Sequence, residues 1–462
     1  MSSQATFATP RPFAAAILAA GQGTRMKSSR HKVLHAIAGK PMLGHLMDEL
    51  ARLAPAETII VLGAGRDDVE PFVLERGGKI ALQQEQLGTG HAVLQARDAL
   101  GDFDGDVIAC FGDVPMVRAE TVAAMLARLH GDDDPACVVL GFRPADALAY
   151  GRIVADEDGR IEKMVEYKDA SETERAIDLC NSGLIAARAA DMFALLGQVG
   201  NDNAQGEYYL PDMVMVAQAQ GRHSAVIETE PWEVAGVNSR AELAGVERDW
   251  QDRRRARAMA EGASLIAPET VWFSYDTQLG RDVTVEPNVR FGPGVSVADG
   301  ATIHAFSHLE GARVGEGCSV GPYARLRPGA VMEKGAKVGN FVEMKKATLG
   351  EGAKANHLTY LGDASIGANA NIGAGTITCN YDGFLKYRTV IGEGAFIGSN
   401  SALVAPVTIG AGAIIGAGSV VTKDVAPDAI ALARAEQVEK PGRGKRFREV
   451  MAKKKAAKGL SS

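Results

Sequence analysis

Aliphatic residues recur every six positions through the second half of the chain. Leu279, Val285, Phe291, Val297, Ile303 and Leu309 form a first run. After a one-residue skip come Val314, Val320, Leu326, Met332, Val338 and Met344, and a later stretch gives Ile391, Ile397, Leu403, Ile409, Ile415 and Val421. A small residue, most often glycine, usually follows the aliphatic one. Six is neither the helical period nor strand alternation, so the pattern predicts short flat segments separated by tight corners. One such segment cannot bury its apolar side chain alone, so the coils must stack into a solenoid around a continuous aliphatic column. The count slips to five from Met344 to Leu349 and from Leu361 to Ile366, and it is interrupted from Cys379 to Arg388. That last segment has to leave the coil as a loop, and loops on rigid frames commonly carry function.

From residue 14 to about 240 the pattern is different. Apolar runs at Ala14–Ala20, Thr58–Leu62, Asp106–Phe111, Cys137–Phe142 and Ser182–Ala186 predict buried parallel strands. Helical periodicity at Pro41–Leu53, Gly90–Leu100 and Glu120–Leu129 separates them. Strands alternating with helices predict a doubly wound α/β sheet, whose ligands bind at the carboxyl ends of the strands. Ser239–Gly262, rich in alternating charge, predicts an exposed helical arm, with Arg253–Arg255 on a solvated face.

With 462 residues the chain is too long for one core, which agrees with two domains. Hydrophobic (46%) and charged (23%) shares are those of an ordinary globular protein, and a net charge of −7 argues against nucleic acid as a general partner. Basic residues gather from Lys440 to Lys458; a solvated disordered tail is the plain reading, and attraction of anions the alternative. The five cysteines are scattered without a CxxC pair, which speaks against disulfides and zinc and for a reducing, cytoplasmic setting. No apolar run approaches the length of a membrane span.

The candidate chemistry lies at the strand ends. The first strand runs into Leu18-Ala19-Ala20-Gly21-Gln22-Gly23-Thr24-Arg25-Met26. Its glycines let backbone N–H groups wrap an oxyanion, and Arg25 and Lys32 add charge; a mere tight turn is the competing reading. Gln83-Gln84-Glu85-Gln86-Leu87-Gly88-Thr89-Gly90 offers amides and side-chain donors suited to a base edge. Phe111-Gly112-Asp113 ends a buried strand with a carboxylate that either caps a turn or holds a divalent cation.

The segments LAAGxGTRM, KVL at Lys32, QLGTGHA, GDVP, YGRI, VEYKDA, NSG, NAQGEYYL and GVN occur in an order that resembles a bacterial enzyme family. That family is the bifunctional N-acetylglucosamine-1-phosphate uridylyltransferases/glucosamine-1-phosphate N-acetyltransferases, and the resemblance covers nearly the whole chain. It implies a Rossmann-like nucleotidyltransferase domain over 1–240, a linker helix over 241–262 and a left-handed parallel β-helix over 263–462. It further implies that Leu18, Ala19, Ala20 and Gly21, with Arg25 and Lys32, hold the triphosphate of UTP, while Gln83, Gly88 and Thr89 meet the uracil. Gly151, Glu166 and Asn181 would bind the sugar of N-acetylglucosamine 1-phosphate, and Phe111 and Gly112 would belong to the same UTP and sugar-phosphate site. Asp113 and Asn238 would share Mg²⁺. Phe111 departs from the family's pattern, where Tyr is expected; a hydroxyl is lost near the sugar pocket, but no charge.

For the second half the resemblance implies that His357 is the proton acceptor for acetyl transfer from acetyl-CoA to glucosamine 1-phosphate, a task suited to imidazole. Arg327 and Lys345 would grip the sugar phosphate, with Tyr360 and Asn371 on the sugar. Ala374, Asn380, Tyr381, Ser399, Ala417 and Arg434 would line the acetyl-CoA path, and Glu343 is read as the group orienting His357. A homotrimer is implied. The segment from Asn238 to Arg327 is about one coil shorter than the family's familiar form. A single-activity nucleotidyltransferase whose solenoid only oligomerises is the competing reading, and the grouping of His357, Asn380 and Tyr381 counts against it.

Overall fold

The computed structural model describes residues 9–458 apart from 22, 64, 148 and 149, so Gln22 of the glycine loop lies outside the described residues. The chain divides into two compact units, Met1–Arg257 with Phe273–Tyr275, and Ala258–Trp272 with Asp276–Ser462.

The first unit is built on a sheet. Its strands are β1 (Phe13–Ala19), β2 (Glu57–Leu62), β3 (Lys79–Leu82), β4 (Asp106–Phe111), β5 (Cys137–Phe142), β6 (Arg152–Ala155), β7 (Ile161–Val165), β8 (Cys180–Arg188) and β9 (Ala225–Thr229). The order along the sheet is β9-β5-β8-β4-β1-β2-β3, with β6 and β7 off the edge beside β8. Every residue of β1 is buried, because both faces are covered: Ala15, Ile17 and Ala19 join one apolar cluster and Ala14, Ala16 and Leu18 the other. Helices α1 (Met42–Ala51) and α3 (Ala119–Leu129) supply Leu43, Leu46, Val122 and Leu126 to the first cluster. Helix α2 (Thr89–Leu94) supplies Ala92 and Val93 to the second. The expected helix over Gly90–Leu100 is broken at Gln95 into two short pieces.

One strand differs from expectation. β8 runs antiparallel to both β4 and β5, with an irregularity between Asn181 and Ile185. A strand buried on both faces reads as an unbroken apolar run in either direction, so hydrophobicity alone does not reveal its polarity.

Helix α4 (Arg240–Ala260) has a less solvated face than its charge implies. Gln251 is fully buried and exchanges hydrogen bonds with the Phe273 backbone (2.7 and 2.9 Å). Arg255 is buried beside Asp252, and the guanidinium of Arg253 lies 3.3 Å from the Trp232 ring centre. Flat guanidinium groups cover aromatic faces well, so this basic run partly packs instead of facing water.

The second unit is the solenoid. Among the described residues its strands form three parallel sheets of ten, eight and eight members. Neighbouring strands are one coil apart, as in Ile303 opposite Val320. The column from Val285 to Val421 is buried, while Leu279 at its start is half-buried. A second inward column sits two residues earlier, where Ala301, Ala324, Ala336, Ala353, Ala370, Ala395 and Ala413 are buried. Small side chains there leave the interior to the aliphatic residue of each rung. The basic tail forms helix α5 (Arg443–Ala457), with no side chain buried, where disorder was expected.

Candidate functional site

In the first unit the ends of β1 and β4 are tied together where the Gly112 N–H donates to the Leu18 carbonyl (2.9 Å). A cavity of about 230 Å³ opens beside them, lined by Leu18–Gly21, Lys32, Gln83, Gly88, Thr89, Phe111 and Asp113. Gln86 Nε2 donates to the Ala20 carbonyl (2.6 Å), joining the glutamine-rich loop to the glycine loop. Gln83 Nε2 donates to the Gly88 carbonyl (3.0 Å), which holds that loop closed on itself. Gly88 has φ of +114°, and a Cβ there would fall 2.6 Å from the Tyr208 carbonyl oxygen. Only glycine suits both the backbone angle and the close approach.

Lys32 lines this cavity. Its ammonium pairs with the Asp113 carboxylate and donates to Asn238 Oδ1 (3.0 Å). Asn238 comes from far along the sequence, and its neighbour Val237 is anchored by an N–H donating to the Asp113 carbonyl (2.9 Å). One cation thus already sits between a carboxylate and a carboxamide oxygen. That hard-oxygen pair is the donor set a small divalent cation takes. Arg25 is exposed on the short 3-10 turn Thr24–Met26.

A second cavity of about 200 Å³ shares Thr89 and Phe111 with the first and is lined further by Gly151, Glu166, Asn181, Ser182 and Gly183. Asn181 is buried; its N–H donates to the Gly151 carbonyl (2.9 Å), and its Oδ1 accepts from Gly183 N–H (2.8 Å). Glu166 faces the bare Cα of Gly151. Burial, reinforced by Asp212 and Asp169, pushes the Glu166 carboxyl above its ordinary value. Phe111 stands between the cavities with its ring edge against Gly183, whose φ is +88°. Gln86 and Glu207 also line the first cavity. Both lie inside recognised motifs, but neither carried a role from sequence.

In the solenoid, His357 is exposed at the end of strand Lys354–His357, with Nδ1 2.7 Å from Asn340 Oδ1. The expected partner Glu343 is engaged elsewhere, accepting from Arg327 (2.7 Å) and pairing with Arg325 (3.6 Å). Register explains the exchange: Asn340 stands directly opposite His357, whereas Glu343 stands opposite Tyr360 on another sheet. Counting back one coil from His357 reaches Asn340, the signal available in the sequence.

Lys386, then Arg327, hold the Lys345 ammonium below the usual lysine value, so positive charge gathers around it. Lys386 belongs to the interrupting segment, which folds as a turn with a bridge between Tyr381 and Lys386. Asp382 Oδ1 accepts the N–H groups of Phe384 and Leu385 (2.8 and 2.7 Å) inside that turn. Asn380 is buried and donates to Asp363 Oδ2 (2.5 Å), fixing the base of the loop, while Tyr381 is exposed. The Tyr360 hydroxyl lies over Gly362. Asn371 stands one coil on from Lys354, and the Ala374 carbonyl accepts from Asn400 N–H (2.7 Å). The Ser399 carbonyl accepts from Gly418 N–H (2.8 Å), and Arg434 donates to the Ala417 carbonyl (2.7 Å).

Comparison with known proteins gives both halves relatives. Residues 15–170 match the MobA-like NTP transferase domain, and residues 388–423 match the bacterial transferase hexapeptide (six repeats). The chain is 67% identical over 450 residues to the Bifunctional protein GlmU of Rhizorhabdus wittichii, covering 97% of this chain and all of the relative. It is 66% identical over 448 residues to that of Novosphingobium aromaticivorans (97% and 99% covered). It is 63% identical over 446 residues to that of Sphingopyxis alaskensis (96% and 98% covered). With a cavity at the strand ends of an α/β sheet, a histidine on a hexapeptide solenoid, and relatives matched along nearly their whole length, this chain belongs to the bifunctional GlmU family of transferases.

Proposed function

We propose that the chain makes UDP-N-acetylglucosamine in two steps: the solenoid acetylates glucosamine 1-phosphate from acetyl-CoA, and the α/β unit transfers uridylyl from UTP to the product, releasing pyrophosphate. The observation that carries the residue assignment is the meeting of Lys32, Asp113 and Asn238, the first two of which line the cavity with Leu18–Gly21, Gln83, Gly88 and Thr89. A sugar phosphate attacking the α-phosphorus of UTP brings two anions together, so the site has to screen and align them. Leu18–Gly21, Arg25 and Lys32 take the triphosphate, Gln83, Gly88 and Thr89 the uracil, and Gly151, Glu166 and Asn181 the sugar. Asp113 and Asn238 would hold Mg²⁺, which would supply further screening of the triphosphate. Lys32, freed from the carboxylate as substrates enter, keeps positive charge beside the reacting phosphates. No covalent enzyme intermediate is required.

In the solenoid, His357 takes the proton of the glucosamine amine as that nitrogen attacks the thioester carbonyl. Arg327, Lys345 and Lys386 hold the phosphate, and Asn380, Tyr381, Ser399, Ala417 and Arg434 border acetyl-CoA. Among the described residues no helix is long and apolar enough to cross a membrane. We place the enzyme in the cytoplasm as a homotrimer of solenoids, to be checked by sedimentation.

The direct test supplies glucosamine 1-phosphate, acetyl-CoA, UTP and Mg²⁺ together, then omits each in turn. Free coenzyme A should require the first two, and pyrophosphate all four. Asp113→Asn is expected to lower uridylyl transfer at least a hundredfold and leave acetyl transfer intact; parallel losses in both assays contradict the assignment. His357→Ala should do the reverse, and an acetyl transferase that survives it unharmed overturns the base.

A further inference from the structure

His357 can accept a proton only through a ring nitrogen that carries none. Neutral imidazole has one proton for two nitrogens, so a fixed partner on one nitrogen decides which is free. The solenoid provides such a partner by construction. Strands Lys337–Asn340 and Lys354–His357 are parallel neighbours in register, with Asn340 opposite His357, 17 residues and one coil earlier. Gly339 makes this possible: a Cβ there would fall 1.9 Å from the Asn356 carbonyl oxygen and force the strands apart. The charged side chains on these two strands are lysines, Lys337 and Lys354, and the flanking strand Asn371–Ile372 carries none. Glu343, the carboxylate nearest Asn340 in sequence, is occupied by Arg327 and Arg325.

We propose that Asn340 is a positioning residue for acetyl transfer, and this rests on His357 being the base. The Asn340 carboxamide oxygen accepts the Nδ1–H of His357, which keeps the proton there and presents Nε2 as the free lone pair. In the reaction, the amine nitrogen forms its bond to the thioester carbon and the C–S bond breaks. Coenzyme A leaves as the thiolate, and the amine proton passes to Nε2. His357 then carries protons on both nitrogens until the thiolate or water removes one. A carboxamide turned the other way would donate to Nδ1 and leave the proton on Nε2, which abolishes the base. The direction of this one hydrogen bond is therefore what matters.

Two variants of the full-length protein separate the possibilities, because aspartate can only accept while leucine does neither. Asn340→Leu is expected to lower kcat for acetyl transfer about tenfold, the scale of one lost hydrogen bond. KM values for glucosamine 1-phosphate and acetyl-CoA should stay within about twofold. Asn340→Asp is expected to keep kcat within about threefold, and both variants should retain uridylyl transfer. A parent-like kcat in Asn340→Leu, or an equal loss in Asn340→Asp, overturns the proposal; the latter is what a purely structural role or a donating amide predicts. If Asn340→Leu does not fold, Asn340→Asp decides alone. Full acetyl transfer by His357→Ala would instead remove the base assignment on which the proposal stands.

Discussion

Asp212 begins a helix just after Pro211, which lines the second cavity, and burial, with Asp169 adding repulsion, pushes its carboxyl from 3.8 up to about 6. The folded value lies above the unfolded one, so the native state holds an extra proton between these pH values. Its contribution to stability is complete below about pH 4 and is lost as pH rises through 6. Asp212→Asn, neutral throughout, should therefore melt a few degrees higher than the parent at pH 8 and equally at pH 4. A gain of the same size at both pH values would refute this cause. Gly88 offers a second check at this scale. Its φ of +114° and its proximity to Tyr208 predict that Gly88→Ala costs about 1–3 kcal/mol in denaturant unfolding and lowers uridylyl transfer. Roles of this kind were legible in the sequence where a residue type is rare in its setting: Asp113 ending an apolar strand, or the glycines after β1. Asn340 was legible only by counting back one coil from His357, because asparagine is otherwise unremarkable in a strand.

The elements themselves divide by how local their causes are. The hexad column announced most rungs of the solenoid, since each rung repeats the same inward residue and fails to bury it alone. Ile397 is fully buried in that column, so Ile397→Ala should destabilise the chain by about 2–5 kcal/mol, the cost of a core truncation with its cavity. A change below 0.5 kcal/mol, measured by denaturant unfolding, would mean that the column tolerates a gap. The interrupting segment from Cys379 to Arg388 was legible as a loop, but its Tyr381–Lys386 bridge and the approach of Lys386 to Lys345 were not. The same limit explains β8. Its apolar run was visible, whereas its antiparallel direction depends on the path of the chain before it. In helix α4 the arginines read as solvated because sequence shows charge and not the aromatic rings, Trp232 among them, that cover it.

For the molecule as a whole, two compact units with separate candidate sites predict that the activities complement between chains. A mixture of the Asp113→Asn and His357→Ala proteins should convert glucosamine 1-phosphate to UDP-N-acetylglucosamine at about half the rate of an equal amount of parent. Failure of the mixture, with each variant active in its remaining assay, would show that the intermediate does not leave the chain that makes it. By itself the sequence determined the period of the solenoid, the alternation of strand and helix before it, and the motifs that bring a family resemblance. All of these are local or repeating, so each is written in a short window. Only the tertiary structure decided which distant groups meet: Asn238 with Lys32, Asn340 with His357, Glu343 with Arg327 instead of the histidine. Such pairs are set by strand register and chain path, and a side chain's partner across a coil or a sheet leaves no mark on its neighbours in sequence.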